Sequence, residues 1–152
     1  MHFPFSFTYH LCSAFNMFHD RLDNNMRRLD QSMQHVISTM FSFALSGSIK
    51  YAALNLIVNA RGIVLLWKKD TSNDGKRWVA IMYSVMLYTL PILYRGDAIN
   101  FFTAAISMFL GGILFVPEYN SRFCAGWGHT VFHAVLMINM QALINSARKI
   151  KL

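Results

Sequence analysis

Apolar residues along the chain gather into runs of membrane-span length, separated by short polar connections. The first run, Met1 to Phe18, is apolar and aromatic but too short to span comfortably. It has no Lys or Arg ahead of its apolar stretch and no small-residue cleavage pattern, so it does not read as a signal peptide. A charged connection, His19 to Asp30, follows. Five further runs approach the roughly 20 residues a spanning helix needs. They cover 31–49, 51–67, 78–94, 98–116 and 125–146. Asn55, Asn59 and Arg61 interrupt the second of these, and Pro91 near the end of the third predicts a kink or stop there. Asn73-Asp74-Gly75 and Arg95-Gly96-Asp97 mark turns, and Pro117 closes the fourth run. The pattern predicts an all-α, polytopic transmembrane helix bundle: about five spans plus a short N-terminal half-helix, in one domain over residues 1–152.

Composition strengthens that reading. The chain is 55% hydrophobic and only 14% charged, and its mean hydropathy is +0.34. Soluble domains carry about 25% charged residues, so there is too little charge here to cover a water-facing surface. With the spans filling most of 152 residues, any chemistry has to come from side chains on the helices or at their ends. The formal net charge of +7 reads as loop charge set against anionic lipid headgroups, and no nucleic acid partner is expected. Two cysteines allow at most one bridge.

Alternation across five spans puts the 19–30, 68–77 and 118–122 connections on one side. Trp67, Trp78 and Trp127 then lie at helix ends on that side, as an interfacial belt should. Arg21, Arg27, Arg28, Lys68, Lys69, Lys76, Arg77 and Arg122 lie there too, against Lys50, Arg95, Arg148, Lys149 and Lys151 opposite. The excess predicts that this side is cytoplasmic, or matrix-facing in an organelle.

The sharpest chemical feature is His129-Thr-Val-Phe-His133. Residues four apart share a helix face, so both imidazoles reach one metal ion. His10 and Asp30 are expected at similar depth on the same side, and ionisable groups within a membrane are costly and usually functional.

Ser6-Phe-Thr-Tyr-His10 resembles the Ser-x-x-x-His motif of the CREST superfamily of membrane hydrolases, which includes alkaline ceramidases, PAQR receptors, hemolysin-III-like and myomaker-like proteins. Leu29-Asp30 resembles the Leu-Asp pair opening the next helix in PAQR and hemolysin-III proteins, and Gly128-His129-Thr-Val-Phe-His133 resembles their closing His-x-x-x-His helix. Tyr9-His10-Leu-Cys12 is similar to the corresponding stretch of the myomaker-like branch. The resemblance implies zinc (Zn2+) bound by His10, His129 and His133. Asp30 would then orient or deprotonate the bound water, and Ser6 would be an oxyanion or supporting partner. It implies cleavage of an amide or ester bond in a ceramide-like lipid, or membrane remodelling if the myomaker-like branch is the nearer one. The family has seven spans and its Ser-x-x-x-His motif closes the second, so the helices before Ser6 are expected from a longer chain or from other membrane subunits. Alternatively the chain is a reduced relic of the same fold, a non-catalytic structural subunit or scaffold of a larger membrane complex.

Other residues are read more simply. Cys12 and Cys124 are expected as buried free thiols, Asp20 and Asp23 as solvated loop charges, and His35 as a hydrogen-bonded helix contact. Arg61 is expected to snorkel or to face the bundle interior, and Gly111-Gly112 to allow close helix packing.

Overall fold

The structure is a computed structural model that describes residues 2–19, 24–68, 74–115 and 128–150, with side chains for 4–19, 24–68, 79–113 and 131–150. The described residues form helices and no strands: α1 (His2–Ala14), α2 (Asn25–Ser46), α3 (Ile49–Trp67), α4 (Asp74–Tyr94), α5 (Ala98–Phe115) and α6 (Gly128–Ala147). Val116 and residues 125–127, expected in the last two spans, lie outside the described residues, as do Asp20, Asp23, Cys124 and Trp127.

Local chemistry sets the helix ends. After α1 the chain turns at Asn16, whose φ of 54° is left-handed. There Met17 N–H bonds to Cys12 O and Asn16 N–H to Ser13 O, both near 3 Å, the paired closure of a Schellman motif. Asn24 opens α2 by accepting from Arg27 N at 2.8 Å, an N-cap that starts the helix six residues before its apolar run. α2 ends at Ser46 rather than Ile49, because Gly47 at φ 64° breaks it and Ser48 caps the next helix, accepting from Tyr51 N at 3.3 Å. α4 begins at Asp74, inside the stretch expected as loop, since a polar first turn is compatible with helix and only hydropathy marks Trp78 as a start. The helix also passes through Pro91 to Tyr94, then closes at Gly96 (φ 74°) with Gly96 N–H to Leu93 O and Asp97 N–H to Ile92 O.

Two compact units make up the chain, Met1–Ala44 with Ser48–Tyr88, and Leu45–Gly47 with Thr89–Leu152. In the first, α2 and α3 run antiparallel. Trp67 Nε1 donates to Ser32 Oγ at 3.1 Å near one end, and His35 meets Asn59 further along. α4 adds the Tyr88 ring, tilted against Phe41 at 5.6 Å, and accepts the Tyr51 hydroxyl at Leu87 O.

In the second unit α5 and α6 are antiparallel along a seam of small residues, Ala104, Ser107 and Gly111. A Cβ on Gly111 would stand 2.9 Å from the Phe132 ring, so that glycine sets the closeness of the two helices; Gly112 faces open space. Asn139 Nδ2 donates to Ala104 O at 2.8 Å, and Lys149 pairs with Asp97 at 2.8 Å. Arg95 joins two helix ends, donating to Leu45 O in the last turn of α2 and to Ser146 O (3.3 Å) and Oγ (2.8 Å) in the last turn of α6. Carbonyls in a last turn lack helical donors, and a guanidinium there satisfies them.

The polarity is inverted relative to a water-soluble globule. Among the described residues, eight hydrophobic side chains are buried against thirteen polar or charged ones, while thirty large hydrophobic side chains are exposed. Among the described residues one helix, α3, is long and apolar enough to cross a membrane; Val79–Tyr94, Ala98–Ile113 and Val131–Ala147 are shorter apolar helices.

Candidate functional site

The inward face of α3 repeats at intervals of three and four: Ala52, Asn55, Asn59, Gly62 and Leu66. This is the helical period of a buried stripe, but its centre is polar. The two asparagines therefore do not interrupt the helix. They are its packing face, and the signal for it was their spacing.

Asn59 is the hub. Its Nδ2 donates to Asn55 O at 2.9 Å and to Asn55 Oδ1, which fixes the amide so that Oδ1 is the acceptor. That oxygen receives Ser84 Oγ–H from α4 at 2.6 Å and pairs with His35 Nδ1 from α2 at 2.7 Å. An accepting oxygen requires a proton on His35 Nδ1, so the neutral ring carries its lone pair on Nε2. The cluster is closed to solvent, with His35 at 2% and Asn55 and Asn59 at 1% exposure. Gly62 makes room for the imidazole: a Cβ there would lie within 3.0 Å of three of its ring atoms. Asn55 Nδ2 and Ser42 Oγ are buried without an acceptor or donor among the described residues. Three helices are thus joined through one amide. The arrangement holds helices in place: two of its described bonds cross from α2 and α4 to α3, and two brace the Asn59 amide within α3.

The residues singled out for zinc chemistry are distributed as follows. Ser6 and His10 are half-buried on α1, the His10 ring tilted against Tyr9 at 4.9 Å. Asp30 is 5% exposed in the second turn of α2. His133 is exposed on α6, beside Phe132. His129 lies in the first turn of α6, and its side chain is outside the described residues. Ser6, His10 and Asp30 belong to the first unit, His129 and His133 to the second. Among the described residues no three His, Cys, Asp or Glu side chains converge on a metal-sized site. Cys12 is a half-buried free thiol, and Arg61 is exposed on α3.

Asp97, between α4 and α5, has a strongly displaced acidity. Burial opposes its charge, but hydrogen bonds from Lys149, Asn100 and Ser146, with the Lys149 charge, outweigh that and hold its carboxyl at about 2.

Compared with known proteins, the chain matches no protein family, no curated protein and no solved structure.

Proposed function

We propose that this chain is a multi-pass integral membrane protein and a zinc-dependent hydrolase cleaving an amide or ester bond in a membrane lipid. The multi-pass reading rests on the inverted polarity together with helix length. α2 to α6 run from 18 to 22 residues, about 27–33 Å at 1.5 Å per residue, close to the hydrocarbon thickness of a bilayer. Only 28% of the most apolar window of α3 is buried, where the core helix of a soluble protein would be mostly covered.

The observation that carries the hydrolase reading is the burial of Asp30. A buried carboxylate within a membrane-spanning unit is costly to keep and is usually functional. It stands at the position where the resemblance to CREST hydrolases expects the acid/base. The donor set fits the metal, since imidazoles with a nearby carboxylate are what zinc takes where it keeps a place for water. Zinc held by His10, His129 and His133 would supply a Lewis acid and lower the pKa of a bound water to about 7. Asp30 would accept the proton of the attacking water and return it to the leaving group, and the Ser6 hydroxyl would donate to the developing oxyanion.

Elemental mass spectrometry of the purified protein beside His10→Ala and His129→Ala tests this. About one zinc per chain, lost in both variants together with lipid amidase turnover, supports the reading. Full zinc in His129→Ala, or none in a folded wild type, overturns it.

A second reading is a non-catalytic structural subunit of a larger membrane complex, which the thirty large hydrophobic side chains exposed among the described residues also support. Under this reading the chain co-purifies with other membrane proteins and Asp30→Asn leaves the assembly unchanged.

A further inference from the structure

At the end of α6 remote from His129, a groove of about 420 Å³ opens between α5 and α6 in the second unit. Its lining is graded along the helix axis. Met137 and Ile138, 74% and 55% exposed, form the inner end; Gln141 and Thr103 follow, then Asn145 and Asn100. Beyond the rim stand Arg148 and Lys149, both exposed. Ile138, Gln141, Asn145 and Arg148 follow one another at three- and four-residue steps and so share a face. At 1.5 Å per residue, Asn145 lies about 4–5 Å below Arg148 and Ile138 about 15 Å below it.

We infer that this groove binds one anionic phospholipid, its phosphate at Arg148, its ester carbonyls at Asn145, and an acyl chain along Met137 and Ile138. The inference rests on the membrane reading of the chain but not on the zinc chemistry. Lys149 is committed to Asp97, whereas Arg148 has no carboxylate partner among the described residues. Asn145 Oδ1 accepts from Gln141 Nε2 at 2.9 Å, while its Nδ2 has no acceptor among the described residues; an ester carbonyl offers one. Polar amides on a lipid-facing surface need such partners. A second helix is the poorer occupant, because close helix approach uses small residues and the inner end presents Met and Ile.

The test is electron paramagnetic resonance of the full chain in phosphatidylcholine vesicles, doped with spin-labelled phosphatidylglycerol or spin-labelled phosphatidylcholine. Wild type is expected to restrict the phosphatidylglycerol label about fivefold more strongly, the factor one basic residue contributes near an anionic surface. Arg148→Gln should remove that preference and Asn145→Leu reduce it, with Lys68→Gln, an exposed basic position on α3's C-terminal side, unchanged. No preference in wild type, or an equal loss in Lys68→Gln, overturns the site. So does a dimer that displaces restricted lipid as protein concentration rises. A chain that fails to enter vesicles at all refutes the membrane reading beneath it, whereas insertion without selectivity refutes the site alone.

Discussion

The hydroxyl of Tyr51 donates to the main-chain carbonyl of Leu87 at 2.6 Å, and Leu87 is the residue whose helical donor would have been the nitrogen of Pro91. Proline has no N–H, so a helix running through it orphans the carbonyl four residues back. α3 supplies the missing donor to α4. Tyr51→Phe is therefore expected to destabilise the fold by about 1–2 kcal/mol. In a Pro91→Ala background, where an N–H returns, the same change should cost clearly less. A double-mutant cycle measured by unfolding in detergent checks this, and simple additivity would refute the link.

Gly62 and the His35 ring occupy one space. Gly62→Ala places a methyl within 3.0 Å of the imidazole and is expected to destabilise by about 1–3 kcal/mol through overpacking. Adding His35→Ala should recover part of the loss. A double variant no more stable than Gly62→Ala alone would count against the steric account.

The amide of Asn59 dictates the state of His35. Nitrogen NMR of the labelled protein should report a proton on Nδ1 and a bare Nε2 in the neutral ring. Asn59→Leu should abolish that preference and destabilise the first unit by about 1–3 kcal/mol, since it strands Ser84 and His35 together. An Nε2–H tautomer in wild type would contradict the network.

Asp97 governs the acid limb of stability. Its carboxyl is held at about 2, below its ordinary 3.8, so its contribution is complete above about pH 4 and disappears as pH falls towards 2. Acid titration of unfolding should show this loss in wild type and not in Asp97→Asn. Lys149→Ala should narrow the same window by raising the Asp97 pKa towards its ordinary value.

Helices were legible in the sequence because runs of apolar residues approach bilayer length, and Gly96 announced its turn. Their starts were less so. Hydropathy locates the apolar part of a helix, whereas α2 begins at the Asn24 cap and α4 at Asp74, both in polar sequence. Pro91 read as a kink or a stop, and the helix runs through it because Tyr51 comes to the orphaned carbonyl, which the sequence does not show. The Asn55–Asn59–Gly62 face was present as spacing but was masked by its polarity, since an inward face is ordinarily sought among apolar residues. In a chain whose outside is apolar, that rule inverts. Arg95's capping of two helices was hidden for a different reason: its partners, Leu45 and Ser146, are about fifty residues away on either side. Of the residues proposed for zinc, the sequence supplied identities and order, and the structure adds that Asp30 is buried and His133 exposed.

The exposed apolar faces of these helices are proposed to meet lipid. Spin labels at Ile57 on α3, Phe109 on α5 and Met137 on α6, in protein reconstituted into phosphatidylcholine vesicles, test it directly. Collisions with oxygen should dominate over collisions with a water-soluble nickel chelate at all three, and the order should reverse at Lys68. Dominant nickel-chelate collisions at Ile57, Phe109 and Met137 would place those faces in water and contradict the account.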